Sequence, residues 1–227
     1  IPLEACIWGA LQVQQDMSIK FEINVIVPCL VSDHELDYIL PYVHDVIVRT
    51  NETFQTQQLA KEFAKEEAES KNQRSGIDIS HAIAPFMSTS GMFSSSNNTI
   101  CCNVGIMIST PRACIRSNAI AKVPAVQFLC FDLTSLTEKV FGFTEDEAAN
   151  FMEPFIQKHI LAANPFKSLD RNGVGSMIKS AITLARDEKP GMMMMGCGTA
   201  CTDGKSIRFL ADAGINVVTV DVKSIPL

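Results

Sequence analysis

Three residues in this 227-residue chain combine a reactive type with a suggestive setting: Cys197, Asp132 and Ser109. Cys197 lies between Gly196 and Gly198, directly after the apolar run Met192 to Met195. Flanking glycines let a ligand approach the backbone closely, and a thiol there is a candidate reactive group. Asp132 follows the apolar stretch Ala125 to Cys130, and a carboxylate at such a position can bind a hard cation such as magnesium. One carboxylate alone is a weak magnesium site. Ser109 follows Val104 to Ile108 in the same way. The bland reading stands beside each: polar residues commonly follow buried strands, and most intracellular cysteines are inert buried thiols.

A second constellation is a near miss. Gly198 and Gly204-Lys205-Ser206 sit between a strand pattern and a helix pattern, the setting of a phosphate-binding loop. That loop needs four residues between its glycines, and here there are five. The extra residue spoils the convergence of backbone amides on a phosphate, so the stretch reads as a decoy. A nucleotide-binding role is the weakest of the alternatives.

The elements that must position these residues alternate. Ile1 to Asp16 reads as a helix with Ala5, Trp8, Gly9 and Val13 as its apolar marks, and Phe21 to Val27 as a strand stopped by Pro28. Ser32 and Glu35 form a capping box ahead of Leu36, Ile39, Leu40, Val43 and Ile47, a helix that closes one βα unit by Arg49. From Thr50 to Cys102 the chain turns polar, with a charged helix around Leu59 to Glu69 and a Ser, Thr and Asn-rich run from Ser88 to Thr99; this is read as an insertion.

Val104 to Ile108 is the next strand, followed by Thr110 as an N-cap with Pro111 at the first helical position. Ala125 to Cys130 is a third strand. Thr144 and Glu147 make a second capping box before a helix that Pro154 should kink or break. Val174, Met177, Ile178, Ala181 and Ala185 mark another helix, Met192 to Met195 a fourth strand, and Ile215 to Val220 a fifth after a short helix from Lys205. Five strands alternating with helices predict an α/β fold with parallel βαβ units, either an open doubly wound sheet or part of an eight-stranded barrel. In both, the carboxyl ends of the strands share one face, which gathers Ser109, Asp132 and Cys197.

Bulk properties narrow the function classes. A net charge of -6 gives no electrostatic footprint for nucleic acid. No apolar run approaches the roughly 20 residues needed to span a bilayer, so the chain reads as soluble and intracellular, most simply cytoplasmic. Eight cysteines without C-x-x-C pairs argue against structural zinc, and His34, His44, His81 and His159 are scattered.

Taken in order, the motifs resemble the phosphoenolpyruvate/pyruvate barrel domain of the pyruvate, phosphate dikinases, within the PEP-utilising enzyme family. Val104-Gly105-Ile106-Met107-Ile108-Ser109-Thr110-Pro111-Arg112-Ala113 is similar to that family's V-G-x-M-I-E-I-P-R-A strand. Phe131-Asp132-Leu133-Thr134 falls on N-D-L-T, and Gly196-Cys197-Gly198 on I-C-G-E. Phe141-Gly142-Phe143, Asn164-Pro165-Phe166 and Gly173-Val174-Gly175 resemble the segments between, and Val27-Pro28 an earlier strand end.

The resemblance implies the C-terminal part of a (β/α)8 TIM barrel, about the last five strands. It further implies that Cys197 protonates the pyruvate enolate and that Asp132, with Ser109 at a glutamate position, stands where Mg2+ is held. Phe131 replaces an asparagine that reaches substrate, and Thr199 and Ala200 replace Glu-His, so these are the substrate-binding positions. The partners implied are pyruvate or phosphoenolpyruvate, with a homodimer mate or a completing chain as a further expectation. With a hydroxyl for a carboxylate at the metal site, the chain alone is expected to be inactive, a domain fragment or a non-catalytic scaffold.

Overall fold

In a computed structural model of the chain, residues 2–20, 22–28, 32–73 and 99–225 are described below. The chain divides into two compact units, Ile1–Ile23 with Tyr42–Cys102, and Asn24–Pro41 with Asn103–Leu227.

The first unit is built on α1 (Pro2–Met17) and the larger part of α2 (Leu36–Gln73). Its core is Ile7, Leu11, Phe54 and Ile100, with the Trp8 ring edge-on to Phe54 at 5.0 Å. The buried stripe of α1 is therefore Ile7, Leu11 and Gln14. Of the four expected marks, Trp8 packs against this core, whereas Ala5, Gly9 and Val13 are exposed, because α1 carries apolar residues around most of its circumference and period alone does not choose among them. The two helices expected between Leu36 and Glu69 are one, Leu36–Gln73, running through Pro41. The polar shift at Thr50 marks no break: Val43, Val46, Thr50 and Phe54 form one buried stripe that runs through it. Threonines 50, 53 and 56 each donate to the carbonyl four residues back, so their hydroxyls are satisfied inside the helix. The Ser88 to Thr99 run, up to Asn98, and His81 lie outside the described residues.

The second unit holds most of a five-stranded sheet: β1 (Glu22–Val27), β2 (Cys101–Ile108), β3 (Val126–Asp132), β4 (Met193–Cys197) and β5 (Val217–Thr219). The strands lie in chain order, and β2, β3, β4 and β5 pair in parallel. A doubly wound sheet would reverse direction at a switch point. Sequential order is the singly wound arrangement of a (β/α)8 barrel, and five such strands make part of one.

Helices α3 (Pro111–Ile115) and α4 (Ser117–Lys122) follow β2, α5 (Leu133–Phe141) and α6 (Glu145–Gln157) follow β3, and α7 (Ser176–Glu188) and α8 (Gly204–Ala213) bracket β4. Their starts follow the sequence signals. Thr110 Oγ1 accepts from the Ala113 amide at 3.1 Å with Pro111 behind it, and both capping boxes, Ser32 with Glu35 and Thr144 with Glu147, are closed. Pro154 does not end α6, which runs on to Gln157. A proline so near the C-terminus forfeits one hydrogen bond, and Phe151 and Phe155 keep the last turns anchored through aromatic contacts. The fifth strand is shorter than expected: Ile215 closes the turn off α8 by donating to the Leu210 carbonyl, and Asn216, whose amide donates to Met194 at 2.8 Å, only leads into the paired residues.

One close approach sets the spacing of β2 and β3. Gly105 pairs with Phe128, whose ring occupies the space a Cβ at 105 would need. No helix among the described residues is long and apolar enough to cross a membrane.

Candidate functional site

The sheet register brings the expected residues together. Ile108 pairs with Phe131, Phe131 with Gly196, and Asp132 with Cys197. Ser109, one residue past Ile108, is thus level with Asp132 and Cys197 at the carboxyl ends of three neighbouring strands, which lie about 4.8 Å apart.

Alternation along a strand decides which side chains share a face. Phe128, Cys130 and Met195 form one buried cluster against which Ile26, Met193 and Cys197 pack. Asp132, two residues beyond Cys130 and opposite Cys197, belongs to this face. Phe131 belongs to the other and is fully buried, so it offers no surface beside Cys197. Thr199 and Ala200 begin the helical turn Thr199–Thr202; Thr199 is exposed, and Ala200 is packed inward.

Asp132 also caps α5. Its Oδ1 accepts from the Ser135 amide at 3.1 Å and its Oδ2 from the Ser135 hydroxyl at 2.7 Å. Ser109 is 3% exposed, and its hydroxyl has no hydrogen-bond partner, while its carbonyl accepts from Lys139 Nζ at 2.8 Å. A buried hydroxyl without a partner costs free energy, about 1 to 3 kcal/mol in proteins, which makes Ser109 an unusual residue to find at a strand end.

Cys197 is half-buried, and its sulfur lies 3.8 Å from that of Cys130. The Cys197 thiol is pushed well above the ordinary range. The hydrogen bond with Cys130 is the first cause, followed by burial and by the negative charge on Cys130 and Asp132. Gly198, at φ +115°, holds this end of β4 against α5: a Cβ there would come within 2.9 Å of Thr134 Oγ1 and 3.1 Å of its amide nitrogen. Cys130 is the residue that sequence reading passes over. It sits inside an apolar run, and nothing in the spacing from 130 to 197 announces that β3 and β4 are neighbours.

The lysine-serine stretch is a helix start. Asp203 Oδ2 accepts from the Ser206 amide at 3.0 Å and its hydroxyl at 2.7 Å, and Ser206 Oγ accepts from the Leu169 amide at 2.8 Å. Its hydroxyl is wholly engaged, and Ser206 is 1% exposed. Among the described residues no three His, Cys, Asp or Glu side chains converge as a metal site, and all seven described cysteines are free.

Comparisons with known proteins agree with the strand-end motifs. The family described as PEP-utilising enzyme, PEP-binding domain matches residues 92–227, more than half of the chain. The pyruvate, phosphate dikinase of Giardia intestinalis is 34% identical over 151 residues, covering 66% of this chain and 17% of that protein. That of Rhizobium meliloti (strain 1021) is 37% identical over 124 residues, 55% of this chain and 14% of its own. The chloroplastic pyruvate, phosphate dikinase 1 of Arabidopsis thaliana is 33% identical over 136 residues, 60% and 14% respectively. The matched region is thus 14–17% of each relative's length. With an α/β sheet in barrel order and the strand-end motifs in register, the chain belongs to the PEP-utilising enzyme, PEP-binding domain family.

Proposed function

We propose that this chain is a phosphoenolpyruvate- or pyruvate-binding domain of the dikinase kind, with Cys197 as the proton donor and little turnover of its own. The observation that carries the reading is the setting of Cys197: half-buried, level with Asp132, and held protonated. A general acid must carry its proton at working pH. In the step proposed, the Cys197 S–H bond breaks as a C–H bond forms at the enolate carbon, leaving a thiolate that solvent reprotonates. Such a step belongs to the pyruvate-forming direction of the dikinase reaction, which converts phosphoenolpyruvate, AMP and diphosphate into pyruvate, ATP and phosphate; in the opposite direction the thiolate would take the proton from the pyruvate methyl group.

The family resemblance also brings magnesium, which when bound would balance charge on the enolate. Asp132 would be its carboxylate ligand and Ser109 a neutral neighbour. One carboxylate, already accepting two hydrogen bonds, and one hydroxyl do not fit a hard cation that favours anionic oxygen. No step is therefore routed through the ion, and slow turnover follows. A second reading, a non-catalytic module that binds a dikinase chain or a second copy of itself, is favoured by the use of Asp132 as a helix cap. The short strand β5 at the end of the sheet would offer an edge for such pairing. A cytoplasmic setting suits either reading, since the described cysteines are free thiols.

Deuterium exchange at the pyruvate methyl group, followed by NMR together with saturation transfer from protein to pyruvate, tests the proposal. Bound pyruvate is expected, with slow exchange that falls at least tenfold in Cys197→Ala. Robust exchange abolished by Cys197→Ala would overturn the claim of low activity. Absence of any pyruvate or phosphoenolpyruvate binding, with capture of a full-length dikinase, would replace the first reading with the second.

A further inference from the structure

Two adjoining clefts lie where the segment from Leu161 to Asn172 meets the start of α8, and they share Arg171 and Lys205. The first, of about 440 Å3, has Phe141, Leu161 and Pro165 as its apolar lining. That volume falls within the roughly 300–1,000 Å3 of small-molecule sites. The second is lined by Arg171, Lys205 and Arg208, with Asp203 as its one carboxylate. Three cations to one anion reverses the balance of the whole chain, which has 19 basic residues and 25 acidic. The carboxylates at these clefts serve their own turns. Asp203 accepts from Ser206 and Ser168, and Asp170 from the amides of Asn172, Gly173 and Val174. Among the described residues neither Lys205 nor Arg208 forms an ion pair, so like charges stand together without compensation.

Arg171 is fixed in place before any ligand arrives. Its Nη2 donates to the Lys205 carbonyl at 3.2 Å, and its guanidinium carbon lies 5.9 Å from the centre of the Phe209 ring. A planar guanidinium carries a fork of donors that matches phosphate, and a single bond to the protein leaves most of that fork available. Phe141 is half-buried, with its ring 5.5 Å from that of Phe143, and so supplies a braced aromatic wall to the first cleft.

We propose that the joined clefts bind a small organic phosphate with a flat apolar body. The phosphate lies on Arg171, Lys205 and Arg208, and the body against Phe141, Leu161 and Pro165. A carboxylate has one charge and is matched by a single arginine. A phosphate, with about two negative charges and three acceptor oxygens, accounts for three cations. Neither cleft is lined by Ser109, Asp132 or Cys197, so the assignment is independent of whether Cys197 protonates an enolate.

Calorimetric titration of the full chain with phenyl phosphate, and separately with inorganic phosphate, tests the proposal. One equivalent of phenyl phosphate is expected to bind, at least tenfold tighter than inorganic phosphate. Lys205→Gln and Arg208→Gln, at exposed positions where folding does not depend on the side chain, should each weaken binding at least fivefold. Arg171→Lys keeps the charge and loses the fork, and should weaken binding to a similar degree. Cys197→Ala should leave the affinity unchanged. No binding of phenyl phosphate at millimolar concentration would overturn the proposal, as would affinity unaltered in both Lys205→Gln and Arg208→Gln. Equal affinity for inorganic phosphate would remove the apolar half of the site, and loss of binding in Cys197→Ala would move the probe to the strand ends; either result sinks the assignment.

Discussion

Asp132 and Asp203 each close a turn into a helix, and each does so with the same local chemistry. Each carboxylate accepts from the amide and the hydroxyl of the serine three residues on, at 3.1 and 2.7 Å for Asp132 and 3.0 and 2.7 Å for Asp203. Their surroundings separate them. Around Asp203 the buried polar groups are partnered: Ser168 donates to its carboxylate at 3.0 Å, and Ser206 accepts from Leu169. Around Asp132 stand a buried hydroxyl with no partner and a pair of thiols. The same cap serves a finished network in one place and an unfinished one in the other. Unfinished polar groups in a folded interior mark where a ligand could complete the set.

Substitutions can break or sharpen that contrast. Ser206→Ala should have the largest effect, because it strands the buried Leu169 amide as well as loosening the cap. A loss of about 1–3 kcal/mol is expected in urea unfolding. A loss below about 0.5 kcal/mol would mean that the network is not as tight as its distances imply.

Asp203→Ala should cost about 1 kcal/mol as a lost cap, and its cost should depend on pH. Hydrogen bonds from Ser206 foremost, then Ser168, hold the Asp203 carboxyl below its usual range. A carboxylate depressed in the folded state contributes stability above its unfolded pKa, about 3.9, and loses it as pH falls through the lower folded value. The stability gap between wild type and Asp203→Asn should therefore close in acid below about pH 3.9. A gap that widened there would reverse the assignment.

Ser109→Ala should have the smallest cost, and in fact none. Removing a buried hydroxyl that bonds to nothing is expected to raise stability, by up to about 1 to 3 kcal/mol. A clear loss, read from the same urea curves, would reveal a partner for Ser109 and would erase the difference between the two turns.

Much of this contrast could be read from the residues in order. The capping pairs Ser32 with Glu35 and Thr144 with Glu147, and the Thr110-Pro111 start, are local signals, and local signals survive folding. The gathering of Ser109, Asp132 and Cys197 followed from the rule that parallel strands present their carboxyl ends together. The failures share a cause in longer range. Which stripe of α1 is buried depends on Phe54, some 40 residues away, and α2 runs on past Thr50, where the polar shift in the sequence suggests a break. Cys130 meets Cys197 only because β3 and β4 pair in one register, which no spacing within either strand encodes.

The left-handed glycine at 198 has a consequence for how this chain tolerates change. It is only half-buried, and a ranking of positions by solvent exposure would place it among the permissive ones. Its backbone angle and the nearness of Thr134 say otherwise: even a methyl group would push the end of β4 outward and carry Cys197 away from Asp132. In a scan of all single substitutions, position 198 should stand out as intolerant on a partly open surface. Its neighbour Thr199 should accept most replacements.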